Sequence, residues 1–219
     1  RCTTYCPQDD GLFGDMSVRD TLYYNGELRL PRDWTTAQKA ARIRRSASAL
    51  GLEDDLLLRR IGSPDRPSLS GGEKKRVSLC LDVIDSRPIL FVDEPTTSLD
   101  AASALTVTTQ LASLAASQSR TILCALHQPP WSTLSECCDQ IAVLAQGRIT
   151  LACAPSDVIG ALERAGHPVP ADENPADHAS FVFGSRGAAA VDEAKGDRVE
   201  KIEPHDNAAA AALAPRESF

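Results

Sequence analysis

The apolar run Ile89-Leu90-Phe91-Val92 limits the fold of this chain more than any other segment. It stands between Pro88 and Asp93 and has the length of a strand. A continuous apolar run is typical of a strand that is covered on both faces of a parallel sheet. A similar run over residues 121–126 follows a helical pattern at about 101–117. Strand, helix and strand in this order need a crossover connection, so the sequence predicts an α/β fold with a largely parallel sheet.

Further helical patterns flank these strands. They cover about residues 35–50, the stretch from Ser70-Gly71-Gly72 to before Pro88, and residues 155–165. A hairpin is predicted for residues 140–145 and 148–153, on either side of Gln146-Gly147. Residues 1–34 contain short turn-rich pieces without a long period. Because residues 185–219 hold ten alanines and twelve charged residues, we expect residues 184–219 to form a disordered or weakly helical linker.

Charge and cysteine content argue against several classes of protein. A net charge of −7 without a block of Lys or Arg disfavours a non-specific surface for nucleic acid or anionic membranes. No apolar stretch approaches the ~18 residues of a spanning helix. None of the seven cysteines forms a C-x-x-C pair, so we expect reduced, structural thiols in the cytosol rather than disulfides or a metal site.

Polar residues with catalytic potential follow both predicted strands. The first strand ends in Asp93-Glu94, and the second ends in His127-Gln128-Pro129. In open parallel sheets, ligands bind beyond the carboxyl ends of the strands. An aspartate there suits Mg²⁺, a glutamate can orient an attacking water, and a histidine can donate to a phosphate oxygen.

A glycine-rich helix start forms a second candidate site. In Leu69-Ser70-Gly71-Gly72 the glycines leave backbone N–H groups bare at the positive end of a helix dipole, which favours an anion. Taken alone, Ser-Gly-Gly indicates no more than a capped helix with a flexible entry.

The order and spacing of these motifs resemble the ATP-binding cassette (ABC) ATPases over residues 1 to about 183. Five segments correspond to the signature motif, the Walker B strand, the D-loop, the switch histidine and the Q-loop; they are Leu69-Ser70-Gly71-Gly72, residues 90–94, Ser98-Leu99-Asp100, His127 and residues 5–10. Gln8 is then the Q-loop glutamine. The resemblance implies a partial RecA-like parallel core in residues 1–183, with a helical subdomain at about 15–87.

Further segments are similar to the G subfamily of eukaryotic transporters, which export lipids, sterols and drugs. They are Gln8-Asp9-Asp10 with Leu12-Phe13, residues 18–22, 28–31, 73–78 and 93–97, His127-Gln128-Pro129 and residues 174–177. The resemblance implies a place on the cytosolic face of a membrane, through a transmembrane domain in the same or a partner chain, while these 219 residues themselves stay soluble.

The resemblance also implies a composite site in which two cassettes, identical or different, enclose two ATP molecules with Mg²⁺. Asp93 and Gln8 would bind Mg²⁺ and nucleotide, Glu94 would polarise the hydrolytic water, and His127 would contact the γ-phosphate. The residues implied at the cassette interface are Ser70, Gly71 and Gly72, which would hold the γ-phosphate of the partner's ATP, and Asp100, which would order that interface. No nucleic acid is implied.

One motif of the family does not occur in the 219 residues. No G-x-x-x-x-G-K-[ST] is found, and we expect this phosphate loop and the N-terminal strands to precede Arg1. Residues 1–219 are therefore expected neither to bind ATP tightly nor to hydrolyse it on their own.

Two alternatives remain open. The chain could be a degenerate, non-catalytic cassette that only completes a partner's ATP site, or part of a soluble, non-transporter ABC ATPase. A cassette that acts on DNA is disfavoured, because the sixty or so residues between Gln8 and Leu69 leave room only for a small helical subdomain.

Overall fold

A computed structural model describes residues 2–63, 65–145 and 147–183. Its helices and strands, in chain order, are β1 (Thr3–Cys6), α1 (Val18–Arg29), α2 (Thr36–Ala49), α3 (Asp54–Leu58), β2 (Gly62–Ser63), β3 (Arg66–Pro67), α4 (Gly71–Val83), β4 (Ile89–Asp93), α5 (Ala101–Gln118), β5 (Thr121–Ala125), α6 (Trp131–Cys137), β6 (Ile141–Ala145), β7 (Arg148–Cys153), a 3-10 turn (Pro155–Asp157), α7 (Val158–Arg164) and α8 (Pro175–Phe183). The predicted linker over 184–219 and Gln146 of the predicted hairpin turn lie outside the described residues.

The central sheet confirms the predicted α/β class. Its strands lie in the order β1-β4-β5, and both pairs are parallel, with Cys6 opposite Val92 and Asp93 opposite Ala125. The 18-residue helix α5 supplies the crossover between β4 and β5. Two antiparallel pairs, β2-β3 and β6-β7, lie apart from this sheet, and β6-β7 is the predicted hairpin.

The description of residues 1–34 as turn-rich pieces is wrong in two places. Strand β1 forms because its backbone pairs with β4. Helix α1 begins at the N-cap Ser17, whose side chain accepts a hydrogen bond from Asp20 N, as N-capping serines do. Helices α1 to α4 fall within the segment for which we predict the helical subdomain, whose boundaries stay a prediction.

Helix α4 occupies the centre of the larger hydrophobic core. It packs against α1, α2, α5 and β1, and it is buried nearly all round, with Val77, Cys80 and Val83 fully enclosed. This packing fixes the helix relative to the sheet on one side and the helical pairs on the other. A second, smaller core joins α7 and α8 to the β6-β7 hairpin, around Val158, Leu162 and Val182.

The two faces of the sheet differ in exposure. Leu90 and Val92 of β4 are buried against the larger core, whereas Phe91 is 42 % exposed. Its register partners Tyr5 and Leu123 are 59 % and 48 % exposed. The prediction that β4 is covered on both faces is therefore wrong for the described residues, because only one face packs against helices there. None of the described helices is both long and apolar enough to span a membrane.

Candidate functional site

The first group of candidate residues lies at the carboxyl ends of β1, β4 and β5. Because the strands are parallel, these ends share one edge of the sheet. The ladder continues one residue past β4, since Glu94 N donates to Ala125 O over 3.0 Å. This bond fixes the backbone of Asp93 and Glu94 against the end of β5.

The Glu94 carboxylate is held by two donors on the same oxygen. Gln8 Nε2 and Thr97 Oγ1 each donate to Glu94 Oε2 over 2.8 Å. Among the described residues, no donor reaches the second oxygen, Oε1, which is left as an open acceptor. Glu94 also has a positive φ of 42°, a backbone conformation that costs a non-glycine residue about 1 kcal/mol or more and recurs at functional sites.

Asp93 is held by a residue that sequence reasoning missed. The Tyr5 hydroxyl donates to Asp93 Oδ2 over 2.7 Å. This hydrogen bond, together with the nearby negative charge, raises the pKa of the Tyr5 phenol. The available signal was strand alternation: Tyr5 is paired with Phe91, and Asp93 is the next residue on that face of β4.

His127 lies two residues beyond the end of β5, on the same edge of the sheet as Asp93. It is exposed, and no hydrogen bond joins its imidazole to another described residue. The structure thus brings Gln8, Asp93 and Glu94 together with Tyr5 and Thr97, and it leaves His127 outside this cluster of hydrogen bonds.

The second group lies at the start of α4. Ser70 caps the helix: its Oγ accepts from Glu73 N over 3.2 Å, and Glu73 Oε2 accepts from Ser70 N over 2.7 Å. In this capping box the backbone N–H groups of Gly71 and Gly72 find no acceptor among the described residues. They are the unsatisfied donors that make a helix start receptive to anions.

Tight packing accounts for both glycines. A Cβ on Gly72 would lie 2.9 Å from Ser103 Cβ, and one on Gly71 would lie 3.3 Å from Leu99 Cδ2. The start of α4 therefore rests directly on the start of α5 and the loop before it.

Asp100 belongs to this second group through Ser103. It caps α5, since its Oδ1 accepts from Ser103 N over 2.9 Å and its Oδ2 accepts from Ser103 Oγ over 2.7 Å. These hydrogen bonds lower the pKa of Asp100. Ser103 thus contacts Asp100 and faces Gly72, and it is a further site residue that the sequence reasoning did not single out.

The described residues contain no group of three or more His, Cys, Asp or Glu side chains that could hold a metal ion by themselves. The first cluster nevertheless offers oxygen atoms without a hydrogen-bond partner in the described part of the chain: Gln8 Oε1, Asp93 Oδ1 and Glu94 Oε1. Mg²⁺ prefers such hard donors and commonly takes only one or two carboxylates, with phosphate and water oxygens completing its shell. The donor set fits a metal that arrives with a phosphate ligand.

Comparison with known proteins gives a consistent result. The family described as "ABC transporter" matches residues 1–97. The chain is 38 % identical to ABC transporter G family member 11 of Arabidopsis thaliana over 176 residues. This aligned segment covers 80 % of this chain and 24 % of that protein. It is 34 % identical to the broad substrate specificity ATP-binding cassette transporter ABCG2 of Bos taurus over 187 residues. This aligned segment covers 85 % of this chain and 28 % of that protein. The chain spans about a quarter of the length of these relatives.

Proposed function

This chain belongs to the ABC transporter family as part of a G-type nucleotide-binding domain, and we propose that it supplies the water-activating edge and the signature helix of a transport ATPase. The proposal concerns a larger protein of which these residues would form part of the cassette. In that protein, ATP binding and hydrolysis would drive export across a membrane.

The observation that best supports this proposal is the bond between Gln8 Nε2 and Glu94 Oε2, 2.8 Å long. It joins the end of β1 to the end of β4 across the edge where parallel sheets bind ligands. With Oε2 occupied, the open Oε1 of Glu94 can accept a hydrogen bond from an attacking water and take its proton. Gln8 would then orient the base and offer its own Oε1 to the metal.

Asp93 and Gln8 are the proposed metal-binding residues. Mg²⁺ bound with ATP would neutralise phosphate charge during phosphoryl transfer to water. The Tyr5 hydroxyl holds Asp93 Oδ2, so Asp93 Oδ1 is the oxygen left for this task. His127, exposed at the same edge, is proposed to donate to the γ-phosphate from its imidazole.

The second group would act on a different ATP molecule, bound by a partner cassette. Ser70, Gly71 and Gly72 would bind its γ-phosphate through the hydroxyl and the open N–H groups, and Asp100 would order the interface between the cassettes. The partner could be a second copy or a related chain. Lipids, sterols and xenobiotics are the proposed transported substrates, moved by a transmembrane domain whose cassette faces the cytosol.

A chimera tests this function. The matching segment of bovine ABCG2 is replaced by residues 2–183 of this chain, and Mg²⁺-dependent ATP hydrolysis is compared with that of its Glu94→Gln variant. Removing a general base should lower the rate by about a hundredfold or more. Glu136→Gln, at an exposed glutamate of α6, is the control and should leave the rate unchanged.

The same chimera distinguishes a catalytic chain from one that only completes a partner's site. Equal rates with and without Glu94 would contradict a catalytic role for this edge. Sensitivity to Gly71→Asp without sensitivity to Glu94→Gln would instead indicate a chain that only completes a partner's site.

A further inference from the structure

Lys75 is a buried cation for which the function proposed above has no role. Its side chain is only 7 % exposed. Its Nζ donates to Gln8 O over 2.8 Å and to Pro7 O over 3.2 Å, and it forms an ion pair of 3.3 Å with Asp10 Oδ1. All three oxygen atoms, two that accept hydrogen bonds and one in the ion pair, belong to the segment that positions Gln8.

The number of partners explains how this charge is tolerated. An ammonium group has three N–H donors, and burying it without partners is strongly unfavourable. Here two carbonyls and one carboxylate surround it. Because the lysine is fixed within a well-packed helix, its contacts also fix the positions of those three oxygens.

Two more residues on the same face of α4 reinforce the attachment. Ser78, one turn after Lys75, donates from its Oγ to Asp10 O over 3.4 Å. Asp82, one further turn on, lies near Cys6: burial and then the negative charge of Asp82 raise the pKa of the Cys6 thiol. Positions 75, 78 and 82 follow the spacing of one helix face, so α4 holds the chain from Cys6 to Asp10 along two turns.

We propose that Lys75 is a positioning residue, which ties the signature helix to the backbone of Pro7 and Gln8 and thereby keeps the Gln8 amide on Glu94. The proposal rests on the function above only for the roles of Gln8 and Glu94. It makes α4 a mechanical link between the two groups of site residues, since the helix begins at Ser70-Gly71-Gly72 and holds the Gln8 segment one turn later.

A thermodynamic cycle on the 219-residue chain tests this link. Unfolding by urea is measured for Gln8→Ala, Glu94→Ala and the double variant. In the wild-type background the two substitutions should be non-additive by about two- to tenfold in the unfolding equilibrium constant, the size expected for one hydrogen bond. In a Lys75→Met background this non-additivity should disappear, whereas Lys75→Arg, which keeps a cation, should retain it.

Lys74→Met is the matched control. Lys74 is the neighbouring residue of α4, and its side chain makes no hydrogen bond or ion pair within the described part of the chain, so this variant should preserve the coupling. A residue that merely stabilised the fold would change overall stability and leave the Gln8–Glu94 coupling intact, and that result would overturn the proposal. If Lys75→Met does not fold, Lys75→Leu, which also lacks a donor, replaces it under the same criterion.

The cycle uses no nucleotide, so the two proposals fail separately. Persistent coupling in the Lys75→Met background, with a chimera that depends on Glu94, would refute only the role of Lys75. If the Gln8–Glu94 coupling is lost in Lys75→Met but ATP hydrolysis by the chimera is insensitive to Glu94→Gln, only the ATPase function is refuted.

Discussion

The Tyr5 hydroxyl and Asp93 Oδ2 are joined by a hydrogen bond of 2.7 Å between neighbouring parallel strands. Tyr5 lies on the exposed face of the sheet, so the bond forms at the water-accessible entrance to the site. It leaves one oxygen of Asp93 occupied and the other open. The state of this phenol therefore reports directly on the carboxylate proposed to bind Mg²⁺.

The first prediction concerns the ionisation of Tyr5. The hydrogen bond to Asp93 raises the pKa of the phenol above its ordinary value, so the bond favours the folded state below a pH of about 10 and is lost as pH rises through the raised pKa. Asp93→Ala should lower the pKa of Tyr5 toward its ordinary value. Phenolate absorbance measures this titration, and Tyr5→Phe identifies which transition belongs to Tyr5; an unchanged transition in Asp93→Ala would contradict the bond.

The second prediction concerns the contact between Gly72 and Ser103. A Cβ at position 72 would overlap Ser103 Cβ at 2.9 Å, so Gly72→Ala should lower the free energy of unfolding by about 1–3 kcal/mol. Gly71→Ala is the control, because its Cβ would meet a flexible leucine methyl at 3.3 Å and a backbone oxygen at the ordinary contact distance of 3.9 Å. Urea unfolding should show a clearly larger loss for Gly72→Ala, and Ser103→Gly should relieve part of it in the double variant.

The third prediction concerns the ion pair between Arg29 and Asp82, whose N–O distance is 3.0 Å. Burial raises the pKa of Asp82 although Arg29 opposes that shift. Arg29→Met should therefore destabilise the fold by about 2 kcal/mol near neutral pH, because it leaves a largely buried carboxylate without its cation.

Protonation of Asp82 removes that buried charge, so the loss should shrink as pH falls through the raised pKa of Asp82. Denaturation of Arg29→Met and wild type at neutral and mildly acidic pH measures the difference. A loss that is equal at both pH values would show that packing of the arginine stem, rather than its charge, stabilises the fold.

The fourth prediction concerns self-association. Tyr5, Phe91 and Leu123 form an exposed row across the three strands, and an exposed apolar sheet face of this kind promotes aggregation. Sedimentation of the 219-residue chain should show large species, and Leu123→Lys should reduce them. Leu58→Lys is the control, because Leu58 of α3 is 70 % exposed but lies outside the sheet. A monodisperse wild-type monomer would contradict this prediction.

The fifth prediction concerns nucleotide affinity. The 219 residues contain no G-x-x-x-x-G-K-[ST] segment, so they lack the lysine and hydroxyl that such a loop places on phosphate and Mg²⁺. Titration with a fluorescent ATP analogue should show no tight binding. Mg²⁺-dependent micromolar affinity that is lost in Asp93→Ala would overturn this expectation.

Sequence patterns were enough to predict a helix or strand where local signals and tertiary packing agree. Strands β4 and β5 were recognisable from continuous apolar runs, and α2 and α4 from capping residues and helical spacing. Helix α1 was missed because Gly26 interrupts its apolar stripe. That glycine is required by a neighbour, since a Cβ there would lie 2.6 Å from Ile43 Cδ1, and such a contact between α1 and α2 leaves no local signal.

In the candidate site, too, some residues could be predicted from the sequence and others could not. Asp93 and Glu94 directly follow the apolar run of β4, so this motif was sufficient to place them at a strand end. Lys75 looks like any surface lysine in the sequence, and only the approach of residues 7–10 to α4 buries it. Strand alternation alone does not predict the Tyr5–Asp93 bond, because the bond depends on the register of two strands distant in the chain.

The ion pair between Arg59 and Glu73 affects what can approach the start of α4. Glu73 lies in the first turn of this helix, where its negative charge alone would repel an incoming phosphate. Arg59 Nη1 donates to Glu73 Oε1 over 3.0 Å, and although partial burial opposes it, the hydrogen bonds from Ser70 and Arg59 lower the pKa of Glu73. The carboxylate and the guanidinium cancel, so an anion that reaches the Gly71 and Gly72 amides meets almost no net side-chain charge from this pair.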